Sequence, residues 1–284
     1  MNQTLSVLLA LLSLFSASSY ASSSSLSPPP SFKKVFVVVF ENTNYKDALN
    51  QPNFKKIASE GALLTGFMAE EHPSQGNYIA LVSGDSFNIK SDRPVNLDVR
   101  HLGDLLEAKG LNWKVYLEGY PGNCFTGTST GRYVRKHNPF ISFKNIQSDS
   151  ARCNAHLVNA NQLQADIQAN RVPEFSLYIP DLDNDGHDTG SAYADSWLGK
   201  TLVPLFKNPV FMRDLLFVPT FDENDGLGAN QIYTALYGDS VIPGSTSSTR
   251  YSHYDLLKTI EDTLGLGDLG RKDAKASSIT GVWK

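Results

Sequence analysis

Apolar and polar positions follow two rhythms along this chain. Val35 to Phe40 is an unbroken β-branched and aromatic run ending at Glu41-Asn42, the pattern of a central strand buried on both faces. Residues 53–64, NFKKIASEGALL, read as a helix that stops near Gly61, and the short apolar stretch YIALVS after Asn77 reads as another, closed by Gly84. Residues 99–109 have helical spacing up to Gly110, and residues 112–120, NWKVYLEGY, form a second strand. Residues 158–169, VNANQLQADIQA, predict an amphipathic helix. Two further buried strands follow in EFSLYIP and DLLFVPTF, each running into a polar, acidic loop, and residues 252–266 place leucines on one helical face. Strands alternate with helices throughout, so the expected fold is α/β, with a mostly parallel central sheet flanked by helices.

At 284 residues, 41% hydrophobic and 19% charged, the chain can bury one large core. No internal repeat and no second domain is evident; residues 121–160 look like a loop-rich insertion within a single domain spanning 32–284. The apolar segment from Leu5 to Phe15 is too short to cross a bilayer, and small residues follow it. It predicts a secretory signal peptide over 1–21, then a Ser/Pro-rich linker over 22–31, and hence a secreted protein with no stable membrane anchor. In that oxidising setting Cys124 and Cys153, the only cysteines, are expected to form a disulfide. A net charge of −4 argues against a nucleic-acid partner.

Three strands end alike. The first ends in Glu41-Asn42, another in Asp181-Leu182-Asp183-Asn184-Asp185-Gly186-His187, and a third in Asp222-Glu223-Asn224-Asp225. In open α/β sheets ligands bind beyond the carboxyl ends of the strands. Acidic clusters converging there repel one another unless a cation joins them. Each cluster alone also fits turn formation or helix capping. Ser74, in EEHPSQGNYIALVSGD, has two readings of its own: a plain N-cap, or a nucleophile at a helix start whose free N–H groups and dipole favour an anion.

The segments ENTNY, EHPSQGNYIALVSGD, RKHNPF, NDGHD, TFDENDG and YSHYDLL occur in this order between residues 35 and 265. As an ordered set they resemble the phosphoesterase family of secreted acid phosphatases and C-type phospholipases, which is similar in fold to the alkaline phosphatase superfamily. The resemblance implies a three-layer α/β sandwich and Ser74 as a nucleophile forming a phosphoserine. Asn77, three residues on, would donate its amide to a phosphoryl oxygen. It implies Glu41, Asn42, Ser74, Asp222, Glu223 and Asp185 as metal ligands, with Asp183 the alternative to Asp185. His187 and His253 would bind a second ion, or contact phosphate and protonate the leaving group; His137 would touch phosphate.

One or two divalent ions are expected, from among Mg, Mn, Ca, Fe and Zn. The oxygen-rich set favours the harder ions, and Asp222-Glu223 stands where the superfamily often has Asp-His, which disfavours zinc. Gly76 replaces a proline frequent in close relatives. The implied activity is hydrolysis of small phosphate monoesters. The alternatives are a phosphodiesterase or phospholipase C, and an inactive secreted binding protein or antigen. His101 and His156 read as structural, and His72, beside Ser74, is open.

Overall fold

Strand β1 (Lys34–Phe40) lies at the heart of a five-stranded sheet, with Val35 to Phe40 all buried. The computed structural model describes residues 29–30 and 32–284; the signal peptide read over 1–21 and nearly all of the linker lie outside them. The other sheet strands are β2 (Trp113–Leu117), β3 (Leu157–Asn159), β4 (Phe175–Ile179) and β5 (Leu215–Phe221). Their order is β3-β2-β4-β1-β5, and every pairing is parallel. Val37 stands opposite Leu177 on one side and Val218 on the other. A parallel sheet covered on both faces asks for such continuous apolar runs. Beyond β5, the segment around Tyr237 adds antiparallel bonds, with Phe217 N–H donating to Tyr237 O at 2.8 Å and the reverse bond at 2.9 Å.

The helices include α1 (Pro52–Glu60), α2 (Gln75–Ser83), α3 (Leu102–Ala108), α4 (Gln162–Gln168), α5 (Ser191–Thr201) and α6 (His253–Leu264). Phe40 packs edge-on against Phe54 of α1 and Trp197 of α5. Helix α2 is buried on all sides, as an apolar helix without a polar face must be. Gly84 ends it at φ +72°, and a β-carbon there would lie 2.2 Å from Asp273 Oδ1, so both conformation and space demand glycine.

Two sequence readings change. The helix expected over 158–169 begins only at Gln162, because Leu157 and Val158 pair with Val115 and Tyr116 as the sheet's edge strand. Within 121–160, short helices at Lys144–Gln147 and Ser150–His156 accompany a hairpin joining Ser129–Thr130 to Tyr133–Val134. The Cys124–Cys153 disulfide ties this region together, its Cα atoms 5.9 Å apart.

Glu261 on α6 is fully buried, and no donor among the described residues reaches either carboxyl oxygen. Burial first, then the neighbouring Asp273 carboxylate, push it from 4.5 up to about 9 against the pull of Lys258. An acid held above its ordinary value binds its proton more tightly folded than unfolded. The stability it contributes is complete below the ordinary carboxylate value and is lost as pH climbs toward the raised one. Glu261→Gln is therefore expected to melt at least about 3 °C above the parent at mildly alkaline pH, and level with it at acid pH. Parallel melting curves across the range would contradict this.

Candidate active site

The sheet continues its hydrogen bonding past the strand ends, and this gathers the three acidic clusters. Glu41 N–H donates to Asp185 O at 3.0 Å, Asp222 N–H to Phe40 O at 2.9 Å, and Thr43 N–H to Glu223 O at 3.2 Å. Asn42 adopts φ +34°, a turn that asparagine tolerates better than most residues. Its N–H donates to Asp222 Oδ1 at 3.2 Å and its Nδ2 to Glu223 Oε1 at 3.3 Å.

Ser74 sits at the N-terminus of α2, but its side chain makes no capping bond. The Oγ lies 3.1 Å from Glu41 Oε2 and 3.1 Å from Glu223 Oε1. One hydroxyl proton thus faces two carboxylate acceptors on two different strand ends. Gln75 N–H, next along the helix, donates to Asp92 Oδ1 at 3.1 Å. Asn77 Oδ1 accepts from the N–H groups of Glu70 and Glu71, both at 2.9 Å, and one hydrogen of its Nδ2 goes to Glu71 O at 3.0 Å. It holds the loop that delivers Ser74.

Glu41 is the hub. Its Oε1 accepts from Tyr78 O–H at 2.9 Å and lies 2.9 Å from His137 Nε2. His137 Nδ1 lies 3.2 Å from Asp185 Oδ2. Both ring contacts are close but off the hydrogen-bonding line, since His137 Nε2 and Asp185 Oδ2 lack an aligned partner. The ring stacks on Tyr78 at 5.1 Å. Burial opposes charge on both partners, yet the attraction wins: Glu41 is pulled down to about 2 by His137, with help from Lys136, and His137 rises to about 9 through Glu41 and Asp185.

Asp222 shows the opposite balance. Burial and the charges of Glu41 and Glu223 drive its carboxyl well above the usual range, and Oδ2 is buried without a partner. Glu223 is also raised, by burial, with His72 and Ser74 opposing. His72 stands at the rim, its Nδ1 2.5 Å from Glu223 Oε2.

His253, at the start of α6, donates Nε2–H to the Asp222 carbonyl at 2.9 Å. A carbonyl can only accept, so Nδ1 is left as a bare acceptor, and it is buried without a partner. Burial lowers the ring to about 4 and keeps it neutral. His187 is different: a third of its side chain is exposed, its Nδ1 lies 2.7 Å from Asp188 Oδ1, and its ring is 6.2 Å from that of His137.

Of the two aspartates left open by the sequence, Asp185 is buried in the cluster, whereas Asp183 pairs with Arg132 at 3.1 Å. His101 caps α3 through Gly103 N–H, and His156 stacks on Trp113 at 4.1 Å; both have structural work. Sequence reasoning missed Tyr78, Lys136 and Asp92. Tyr78 lies four residues after Ser74, the spacing that puts two side chains on one helix face, so a helical reading could have found it. Lys136 and Asp92 carry no such signal. They pair at 3.1 Å, and although burial opposes it, Glu41, Asp92 and Asp222 hold the Lys136 ammonium raised.

Among the described residues no group of three or more His, Cys, Asp or Glu side chains stands in an arrangement ready for a metal ion. The donor chemistry nevertheless fits one. Glu41, Asp222 and Glu223 surround the Ser74 hydroxyl and the Asn42 amide, all with hard oxygen donors, and Asp222 Oδ2 is buried and unpartnered.

The phosphoesterase family matches residues 43–267. The chain belongs to that family. Glu41 and Asn42 lie just ahead of the matched stretch. A probable acid phosphatase of Kluyveromyces lactis is 36% identical over 262 residues, covering 87% of this chain and 62% of that protein. A phosphatidylinositol-3-phosphatase of Mycobacterium tuberculosis is 34% identical, covering 89% of this chain and 84% of its own length. The chain spans 58–63% of the fungal phosphatases it matches. In structure it is similar to a Vibrio parahaemolyticus protein of the alkaline phosphatase superfamily, with TM-score 0.61, 14% identity, and coverage of 89% of this chain and 73% of that one. The layered α/β fold expected from the sequence and its phosphoesterase kinship are thus both established.

Proposed function

We propose that this phosphoesterase is a secreted, metal-dependent phosphatase that hydrolyses small phosphate monoesters through a phosphoserine on Ser74. The observation that carries the reading is the Ser74 hydroxyl, buried at a helix N-terminus, not capping it, and bonded to two carboxylates from separate strand ends. The similarity to fungal acid phosphatases supports the reaction class.

Glu41, Asn42, Ser74, Asp222 and Glu223 would hold a divalent ion, which supplies positive charge beside the nucleophilic oxygen. The chain's own groups do the rest. Ser74 Oγ gives its proton to a neighbouring carboxylate and attacks phosphorus in line, and its P–O bond forms as the ester P–O bond breaks. His137, charged between Glu41 and Asp185, faces the negative charge of the phosphoryl group. His187, exposed at the rim and steered by Asp188, protonates the departing alkoxide. His253 offers its unpartnered Nδ1 as an acceptor or ligand rather than as an acid. Asn77 secures the loop before Ser74. Water then attacks the phosphoserine phosphorus and gives its proton to the now neutral His187, as the Ser74 Oγ–P bond breaks and Oγ takes back the proton held by the carboxylate.

The test compares p-nitrophenyl phosphate with bis-p-nitrophenyl phosphate, with and without a chelator. Monoester turnover that stops on chelation and returns with a divalent ion is the expected result. A preference for the diester would make the protein a phosphodiesterase, and turnover of neither ester after resupply of several ions would leave a binding protein.

A further inference from the structure

Glu118 directly follows β2, at the same edge of the sheet that carries Glu41, Asp185 and Asp222. Its N–H extends the strand ladder, donating to Ile179 O at 3.0 Å. Its carboxyl group takes no part in the Ser74 cluster and instead holds the loop after β4. Oε2 accepts from Asp181 N–H at 3.0 Å and from Asn184 Nδ2 at 2.7 Å. Oε1 accepts from Tyr178 O–H at 2.9 Å and from Trp197 Nε1–H at 3.1 Å.

Four donors fill the acceptor capacity of a carboxylate, and all four are neutral groups. The amide, carboxamide and indole can only donate. Burial raises the Glu118 carboxyl against the pull of Asn184, Asp181 and Tyr178. Only Tyr178 O–H can turn round to accept a proton, so Oε2 keeps its two loop bonds whether or not Glu118 is charged.

Those bonds fix the turn that delivers Asp185. Asp181 Oδ1 accepts from the N–H groups of Asp183 at 3.1 Å and Asn184 at 3.0 Å. Asp181 O accepts from Asp185 N–H at 2.8 Å, and Asp185 O from Glu41 N–H at 3.0 Å. Asn184 and Asp185, adjacent in the chain, divide their side chains between two partners. Asn184 bonds to Glu118, and Asp185 Oδ2 lies 3.2 Å from His137 Nδ1.

We propose that Glu118 is a positioning residue that pins the turn after β4 so that Asp185 meets His137. The proposal rests on the monoesterase reading for the reaction that Asp185 serves, and on the turn alone for its geometry. Glu118, Tyr178, Asp181 and Asn184 line an open cavity of about 560 Å³, so water can reach the freed donors in Glu118→Ala and the fold should survive.

Two comparisons test the role. In turnover of p-nitrophenyl phosphate, Glu118→Ala should lower kcat at least about tenfold in the parent and less than about twofold in an Asp185→Asn background, because residues acting through one another do not add. Glu118→Gln should recover most of the loss, its single oxygen facing Asp181 and Asn184 and its NH2 facing Tyr178. An equal fall in both backgrounds, no fall in the parent, or a glutamine no better than alanine would overturn the role.

In hydrogen exchange followed by mass spectrometry, the segment 181–188 of Glu118→Ala should exchange at least about tenfold faster than in the parent, with strands β1 and β5 unchanged. Asn184→Ala removes one of the two loop bonds and should show the same pattern in both comparisons at smaller size, which keeps the test open if Glu118→Ala does not fold. Unchanged exchange over 181–188, or equal acceleration throughout the sheet, would overturn the proposal. Exchange needs no turnover, so it decides the role of Glu118 even if the parent hydrolyses neither ester, a result that would count against the monoesterase reading.

Discussion

Ser74→Ala is expected to lower monoester turnover by at least about ten-thousand-fold, the scale on which removing a covalent nucleophile acts. The loss should fall on kcat, because phosphate would still meet His137 and the α2 N-terminus. The fold should be unaffected. Among the described residues Ser74 Oγ bonds only to Glu41 and Glu223 and caps nothing, so its removal takes away a proton shared by two carboxylates and no element of packing. A side chain serving as an N-cap would behave the other way: its loss would cost about 1 kcal/mol of stability and leave turnover intact. Melting and kinetics measured on the same sample separate the two roles.

Glu41→Gln should have the second largest effect, a fall in kcat of about a thousand-fold. Glu41 touches Ser74, Tyr78 and His137 at once, and it carries the charge that opposes burial and raises His137 to about 9. Without that charge His137 keeps only Asp185, and its titration should move down toward the ordinary imidazole range. NMR titration of His137 checks this directly. The histidine would then be partly neutral near pH 7, weakening its pull on phosphoryl oxygens there. Unchanged His137 titration in Glu41→Gln, or turnover within a few-fold of the parent, would contradict the role given to Glu41.

The sheet and most of its helices were legible because the chain announces them. Val35–Phe40 and Leu215–Phe221 are apolar runs that suit only strands buried on both faces. The gathering of Glu41, Asp185 and Asp222 followed from reading all three as strand ends, since parallel strands place those ends on one edge. Edge strand β3 was hidden because three residues of strand carry too little periodicity beside an amphipathic helix. The direction of individual side chains was also out of reach. Asn77 has the spacing for a phosphoryl contact, but that spacing does not show that its Oδ1 takes the N–H groups of Glu70 and Glu71 and that one Nδ2–H goes to Glu71 O. Asp183 and Asp185 are equivalent in sequence, and only the turn after β4 sends one to Arg132 and the other to His137. Lys136 and Asp92 meet across 44 residues, a contact no local pattern encodes.

The most direct test of the central claim is to quench the enzyme during turnover of a monoester in acid, digest it, and map covalent phosphate by mass spectrometry. Phosphate is expected on the peptide carrying Ser74, at Ser74 itself, and none in the Ser74→Ala protein. Monoester turnover with no labelled peptide, or with phosphate on another residue such as His137, would contradict it.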